Sequence, residues 1–200
     1  MAYNQFTVDD LQRLFKVTIR EGTDHFSGVS PVTLSEVLRT SLNDGAPIAL
    51  ELSTEKARSE WIIAPILLEL RRQVNGAVGL FSGVDFTVDS EQGLNGFCDW
   101  LISRSSSLLT IQAPVVAIVE AKNENIRAGI PQCVAEMYAA SRFNAAREVA
   151  HRFVHGVVTT GSVWRFLRLE GSTVDLDRKE YYLDEVDRIV GVLKHMVTSS

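Results

Sequence analysis

The residues best suited to chemistry lie in two apolar segments. Within 114–122, PVVAIVEAK, strand alternation puts Val116, Ile118, Glu120 and Lys122 on one face. A core strand thus delivers a carboxylate and an ammonium, two residues apart, to one end. Burying a charge unpaired is costly, so the two must pair with each other or serve a ligand. A second acid, Asp99, stands in GFCDWLIS, an apolar strand where a carboxylate is out of place. A hairpin link of about a dozen residues lets antiparallel neighbours set Asp99 beside Glu120. Two acids with a lysine close by suit a hard divalent cation, Mg2+ or Mn2+, bound through oxygen at about 2.0–2.2 Å. The bland reading of the same residues is an ion pair between Glu120 and Lys122 at a solvated strand end.

The elements that must position these groups follow from periodicity. Thr7 and Asp10 form a capping box ahead of Leu11, Leu14, Phe15 and Ile19, a short helix running to about residue 21. Residues 22–30 read as a loop. Thr33 and Glu36 repeat the capping pattern for a second helix, ending by 43–45. Ser53 or Thr54 caps a longer helix over 55–74, with Pro65 inside it marking a kink or a true start. Val84, Phe86 and Val88 alternate as a strand, and 96–103 and 114–122 are two more. The β-branched run VVAIV is typical of a central strand covered on both faces. An amphipathic helix over 129–144, strands over 154–160 and 163–169, an edge strand within 174–183 and a helix over 184–197 complete the chain. This order predicts an α/β fold with a mixed central sheet flanked by helices. Its expected units are an N-terminal helical extension over 1–45 and a main body over 46–200 in one compact arrangement.

Composition narrows the function classes. The chain has 200 residues, 46% of them apolar and 22% charged, which is globular rather than disordered. A formal charge of -5, from 20 basic and 25 acidic residues, excludes a histone-like binder. Two cysteines, Cys98 and Cys133, cannot build a disulfide framework or a four-cysteine zinc site. The first residues show neither a basic nor an apolar leader, and no apolar run approaches 18 residues. A soluble, cytoplasmic protein without membrane contact is the expectation.

An acid, Asp99, followed after a strand hairpin by Glu120-Ala121-Lys122 resembles the PD-(D/E)XK nuclease superfamily. More of the chain agrees. TEKARSEWIIAPILLEL is similar to the first helix of the nuclease domain of type I restriction subunits, where an acid precedes an I-x-P-x-L segment; here Glu55 stands ten residues before Pro65. IPQCVAEMYAAS offers Gln132, with Glu136 one turn on, where the superfamily often carries a site-facing glutamine. GVVTTGSVWRFLRL resembles the later strand pair. The likeness covers about residues 51–169, and residues 1–45 fall outside it. One departure is Cys98, where the superfamily favours proline before the first acid.

The resemblance implies a restriction-endonuclease-like fold and a metal-dependent DNA endonuclease. Asp99 and Glu120 would bind Mg2+ or Mn2+, with the Ala121 carbonyl as a further ligand and Glu55, rather than Glu60, as an outer one. Lys122 would position the attacking water and Gln132 would support it, so Asp99, Glu120, Lys122 and Gln132 form the implied catalytic set. DNA is the implied partner, with a homodimer possible. Arg71, Arg72, Arg142, Arg147, Arg165 and Arg168 are candidate phosphate contacts, although scattered arginines are more often plain surface. The competing class is a catalytically silent fold of this type, serving as a binding or assembly module. His151 and His155, four apart, could share a helix face as ligands do, but no third ligand accompanies them. Cys98 and Cys133 read as small buried hydrophobes. Neither a phosphate-cradling glycine loop nor a serine-hydrolase pattern is present.

Overall fold

The computed structural model describes residues 1–149 and 151–199. Eight strands form one mixed sheet: β1 Thr18–Thr23, β2 Gly79–Asp85, β3 Phe97–Ser103, β4 Val115–Ala121, β5 Phe153–Thr159, β6 Val163–Glu170, β7 Thr173–Asp177 and β8 Tyr181–Tyr182. Their order is β1-β7-β6-β5-β4-β3-β2, with β8 paired to β6. β4 runs parallel to β5 and β1 parallel to β7, while the other pairs are antiparallel. The central position expected for VVAIV is observed, since every residue of β4 is buried.

Two hydrophobic clusters sandwich the sheet. One joins Val119, Val157 and Trp164 to helices α2 Glu36–Leu52, α4 Ala64–Gln73 and α6 Val186–Thr198. The other joins Ile118, Val158 and Leu167 to α1 Val8–Phe15 and α5 Ile126–Ala145. Helix α3 Glu55–Arg58 runs through a π-helical turn, Ser59–Ile63, into α4. The turn ends two residues before Pro65. Proline lacks an N–H and crowds the preceding turn, and a widened turn relieves both. The expected kink at Pro65 therefore takes the form of a π turn. Thr54 caps α3, its Oγ1 accepting from the Ala57 N–H at 3.1 Å.

Four expectations are corrected. The first helix stops at Phe15, and Thr18–Thr23 is a strand on β7. Residues 1–45 are therefore not a helical extension, because they carry a strand of the main sheet. The β-branched and threonine content of 17–23 favours that strand. The second helix is capped by Ser35, not Thr33, and runs through residue 45 to Leu52. Gly45 stops nothing because a bare Cα is what lets α2 lie against Trp61: an added Cβ would stand 3.0 Å from the Trp61 carbonyl oxygen. The strand read from Val84, Phe86 and Val88 starts earlier and ends at Asp85. Finally, β7 is not an edge, since β1 covers it.

Candidate active site

The site forms where β3 and β4 part. Their register ends at Trp100 opposite Val119, and one further step would set Asp99 opposite Glu120. There the backbone ladder stops and a side chain replaces it, the Ala121 N–H donating to Asp99 Oδ2 at 2.8 Å. The acid that looked misplaced in an apolar strand thus holds the open end of the hairpin.

Glu120 is buried, 1% exposed, and Lys122 Nζ donates to its Oε1 at 2.5 Å. The other oxygen, Oε2, is buried with no partner. Burial, then the neighbouring Asp99 carboxylate, pushes Glu120 up to about 8 against the pull of Lys122. Burial also raises Asp99, partly offset by the Ala121 N–H and Lys122. Burial acts to lower Lys122, but the Glu120 carboxylate outweighs it and holds the ammonium above the ordinary lysine range. These tendencies oppose one another, since a proton on Glu120 removes the charge that holds Lys122. The short contact favours the lysine as proton holder, with desolvation making Glu120 the easier group to reprotonate.

Lys122 is aimed by its surroundings. Its backbone N–H bonds the Thr159 carbonyl at 2.8 Å, continuing the β4–β5 pairing. Its stem lies across Gly129 near the start of α5, where an added Cβ would stand 2.9 Å from Lys122 Cγ and 2.7 Å from Val158 Cγ1. Its ammonium also donates to Gln132 Oε1 at 3.3 Å. Gln132 Nε2 in turn donates to Glu136 Oε1 at 3.1 Å. Glu136 is fully buried, its Oε2 has no partner, and desolvation holds its carboxyl well above the usual range.

Glu55 enters from the first residue of α3. Its Oε1 accepts from the Asn123 N–H at 3.3 Å, and its charge is felt by Asp99, Glu120 and Lys122. Glu60 instead pairs with Lys56 at 2.8 Å, and its side chain is half exposed. A cleft of about 520 Å³ opens over the carboxylates, lined by Glu55, Ser59, Gly83, Asp99, Trp100 and Ala121 among others. Trp100 Nε1 donates to Ser59 Oγ at 3.0 Å, tying the π turn to β3 beside the site.

The oxygen set fits a hard divalent cation, and the unpartnered Oε2 of Glu120 beside Asp99 is the feature that says so. Among the described residues, no three His, Cys, Asp or Glu side chains already converge as a cage. Glu55 is held toward the Asn123 N–H at 3.3 Å.

Sequence reasoning grouped Asp99, Glu120, Ala121, Lys122, Gln132 and Glu55, and the fold brings these together. It passed over the role of Glu136, Gly129, Asn123 and Ser59. A signal for Glu136 existed: Gly129, Gln132, Cys133, Glu136 and Ala140 form one helical stripe against the sheet, where two polar residues are anomalous. The histidines do not share a helix face. His155 is buried on β5, pushed down to about 3 by desolvation, and His151 precedes the strand. The candidate phosphate-binding arginines have partners within the chain. Arg71 donates to the Val78 carbonyl, Arg72 lies 3.6 Å from Glu69, and Arg142 reaches Asp89 and Gln92. Arg147 stacks over Phe143, Arg165 donates to the Asp177 carbonyl, and Arg168 faces Asp175 at 3.6 Å. Among the described residues no helix is long and apolar enough to cross a membrane. No family model matches this chain, and no curated protein matches it closely enough to count as a relative.

Proposed function

We propose that this protein is a metal-dependent endonuclease that hydrolyses phosphodiester bonds in DNA, with a restriction-endonuclease-like core of the PD-(D/E)XK kind. The observation that carries the proposal is the meeting of Asp99 and Glu120 at the splayed end of β3 and β4, with Lys122 on Glu120 and Glu55 at the rim. The order of elements supports it: a helix bearing the outer acid, three antiparallel strands, a helix bearing Gln132, then a parallel strand with its hairpin partner.

Asp99 and Glu120, with the Ala121 carbonyl and Glu55 beside them, would hold Mg2+ or Mn2+, which when bound polarises a phosphoryl oxygen and acidifies a water. The chain's own groups do the rest. Glu120, with Oε1 held by Lys122, would turn its other oxygen, Oε2, to the cation. Lys122 keeps its proton and presents it beside Glu120, where negative charge develops on an attacked phosphate. The 520 Å³ cleft beside Glu55, Asp99 and Ala121 is where the substrate backbone would lie. The formal charge of -5 and the internally paired arginines argue for weak, salt-sensitive DNA affinity, which a homodimer would strengthen by doubling the surface.

The test is incubation of the purified protein with supercoiled plasmid and Mg2+ or Mn2+. Nicking that disappears with EDTA and with Glu120→Ala is expected; intact plasmid under all conditions would overturn the nuclease reading. A second reading is a silent fold used as a binding or assembly module. It draws on the satisfaction of Asp99 by Ala121 and of Glu120 by Lys122. It predicts intact plasmid together with wild-type stability upon EDTA treatment.

A further inference from the structure

Gln132 stands between a cation and an acid. Its carbonyl oxygen accepts from Lys122 Nζ at 3.3 Å and its amide nitrogen donates to Glu136 Oε1 at 3.1 Å. Turned over, the amide would press its N–H2 against an ammonium that has only donors. Glu136 lies one turn further along α5, fully buried on the sheet-facing stripe. A carboxyl group there is costly unless it has a task, because a leucine would pack the position without desolvating a polar group. Its second oxygen has no partner among the described residues, and there the side chain's only hydrogen bond is the one to Gln132.

We propose that Glu136 is a positioning residue for Lys122, acting by anchoring the Gln132 amide so that its oxygen faces the lysine ammonium. The geometry is a relay of three contacts, from Glu136 to Gln132, to Lys122, to Glu120. Anchoring fixes the outer end of a long, flexible side chain that Gly129 steers only along its stem. The relay defines Lys122 as a fixed ammonium rather than a roaming surface charge, and it works equally with Glu136 neutral, since a protonated carboxyl still accepts through its carbonyl oxygen.

The consequence for cleavage rests on the nuclease reading, so the test reads the lysine directly as well. The Lys122 side-chain signals and the Gln132 side-chain amide signals are followed by NMR at one fixed pH in the full chain, for wild type, Glu136→Leu and Glu136→Gln. With Glu136→Leu the Gln132 signals should move to those of a free side chain. The two Lys122 Hε signals, distinct while the ammonium is held in place, should merge as it loses an acceptor. Glu136→Gln, which keeps a carbonyl oxygen at the anchor, should restore both.

Where wild type nicks plasmid, Glu136→Leu should lower the rate by about tenfold or more without lowering the melting temperature, and Glu136→Gln should return it. Unchanged Lys122 Hε signals and unchanged Gln132 signals in Glu136→Leu would overturn the proposal. So would failure of Glu136→Gln to restore them. If Glu136→Leu does not fold, Gln132→Met breaks the relay at its middle and must merge the Lys122 Hε signals in the same way. Wild type that never nicks removes the nuclease reading alone, while the lysine signals still decide the positioning.

Discussion

Asp99, Glu120 and Glu136 are three carboxyl groups that folding takes out of water, and each is raised mainly by that burial. On Glu136, which has no cation on it, the native state therefore holds a proton that the unfolded chain gives up above the ordinary carboxylate range. Such a group's contribution is complete below its unfolded value and fades as pH rises through its folded one. For Glu136 the comparison of wild type with Glu136→Gln isolates the effect. The two should melt together near pH 5, and the variant should gain an advantage that widens as pH rises toward 9. A constant difference would show that Glu136 does not titrate on unfolding. Asp99→Asn keeps an acceptor for the Ala121 N–H while removing a charge next to Glu120. In EDTA at neutral pH it should melt at or above wild type, and it should abolish nicking. A drop of several degrees, on a scale of roughly 2–4 °C per kcal/mol, would instead mark Asp99 as part of a stabilising network. At this scale the sequence was most informative. A charge inside an apolar strand is visible without a fold, and alternation alone puts Glu120 and Lys122 on one face. Glu136 was harder to read because its meaning depends on which side of α5 meets the sheet.

At the scale of elements, the site depends on how closely α5 approaches β4 and β5. Gly129 permits that approach, with Lys122 and Val158 where a side chain would go. Gly129→Ala should displace the lysine stem and cost about 1–3 kcal/mol of stability as overpacking. Nicking should suffer more than the melting temperature does, which denaturant melts beside plasmid assays would reveal. The opposite ranking would place the strain in the core rather than at the lysine. The long helix was legible from its cap at Thr54 and from its apolar spacing, and the proline signalled an irregularity. Its form as a π turn was not legible, because a proline within a helical pattern is met equally by a kink, a break or a widened turn. Gly45 misled for a related reason. A glycine at a helix end and one at a helix crossing look alike until Trp61 is in place.

At the scale of the whole molecule, the sheet closes through β1. Asp175 on β7 is buried and accepts from Arg20 Nε at 2.7 Å and contacts His25 Nε2 at 3.0 Å, with Arg168 beside it. Removing Arg20 and His25 would leave the buried carboxylate only Arg168, at 3.6 Å. Arg20→Ala with His25→Ala should therefore lower the melting temperature markedly, and Asp175→Asn in that background should recover part of the loss. Additive losses with no recovery would mean that the cluster is held by solvent instead. The N-terminal strand escaped the sequence reading because exposed threonine, arginine and glutamate flank its single, partly buried isoleucine, and its partner lies far along the chain.

That distance has a consequence for how the molecule is made. Arg20 and Asp175 are 155 residues apart, and the strands that bear them are neighbours. Synthesis proceeds from the N-terminus, so β1 emerges ahead of β2 to β6 and cannot dock until β7 exists. Strands β2 to β5, which carry or flank Asp99, Glu120 and Lys122, meet through much shorter loops. Loop closure of that kind is faster than long-range pairing. A nascent chain thus assembles its acidic pocket first and seals its far border last. In the interval β1 has an open flank that a β7 from another chain can fill, so crowded production invites exchange of that one strand between copies.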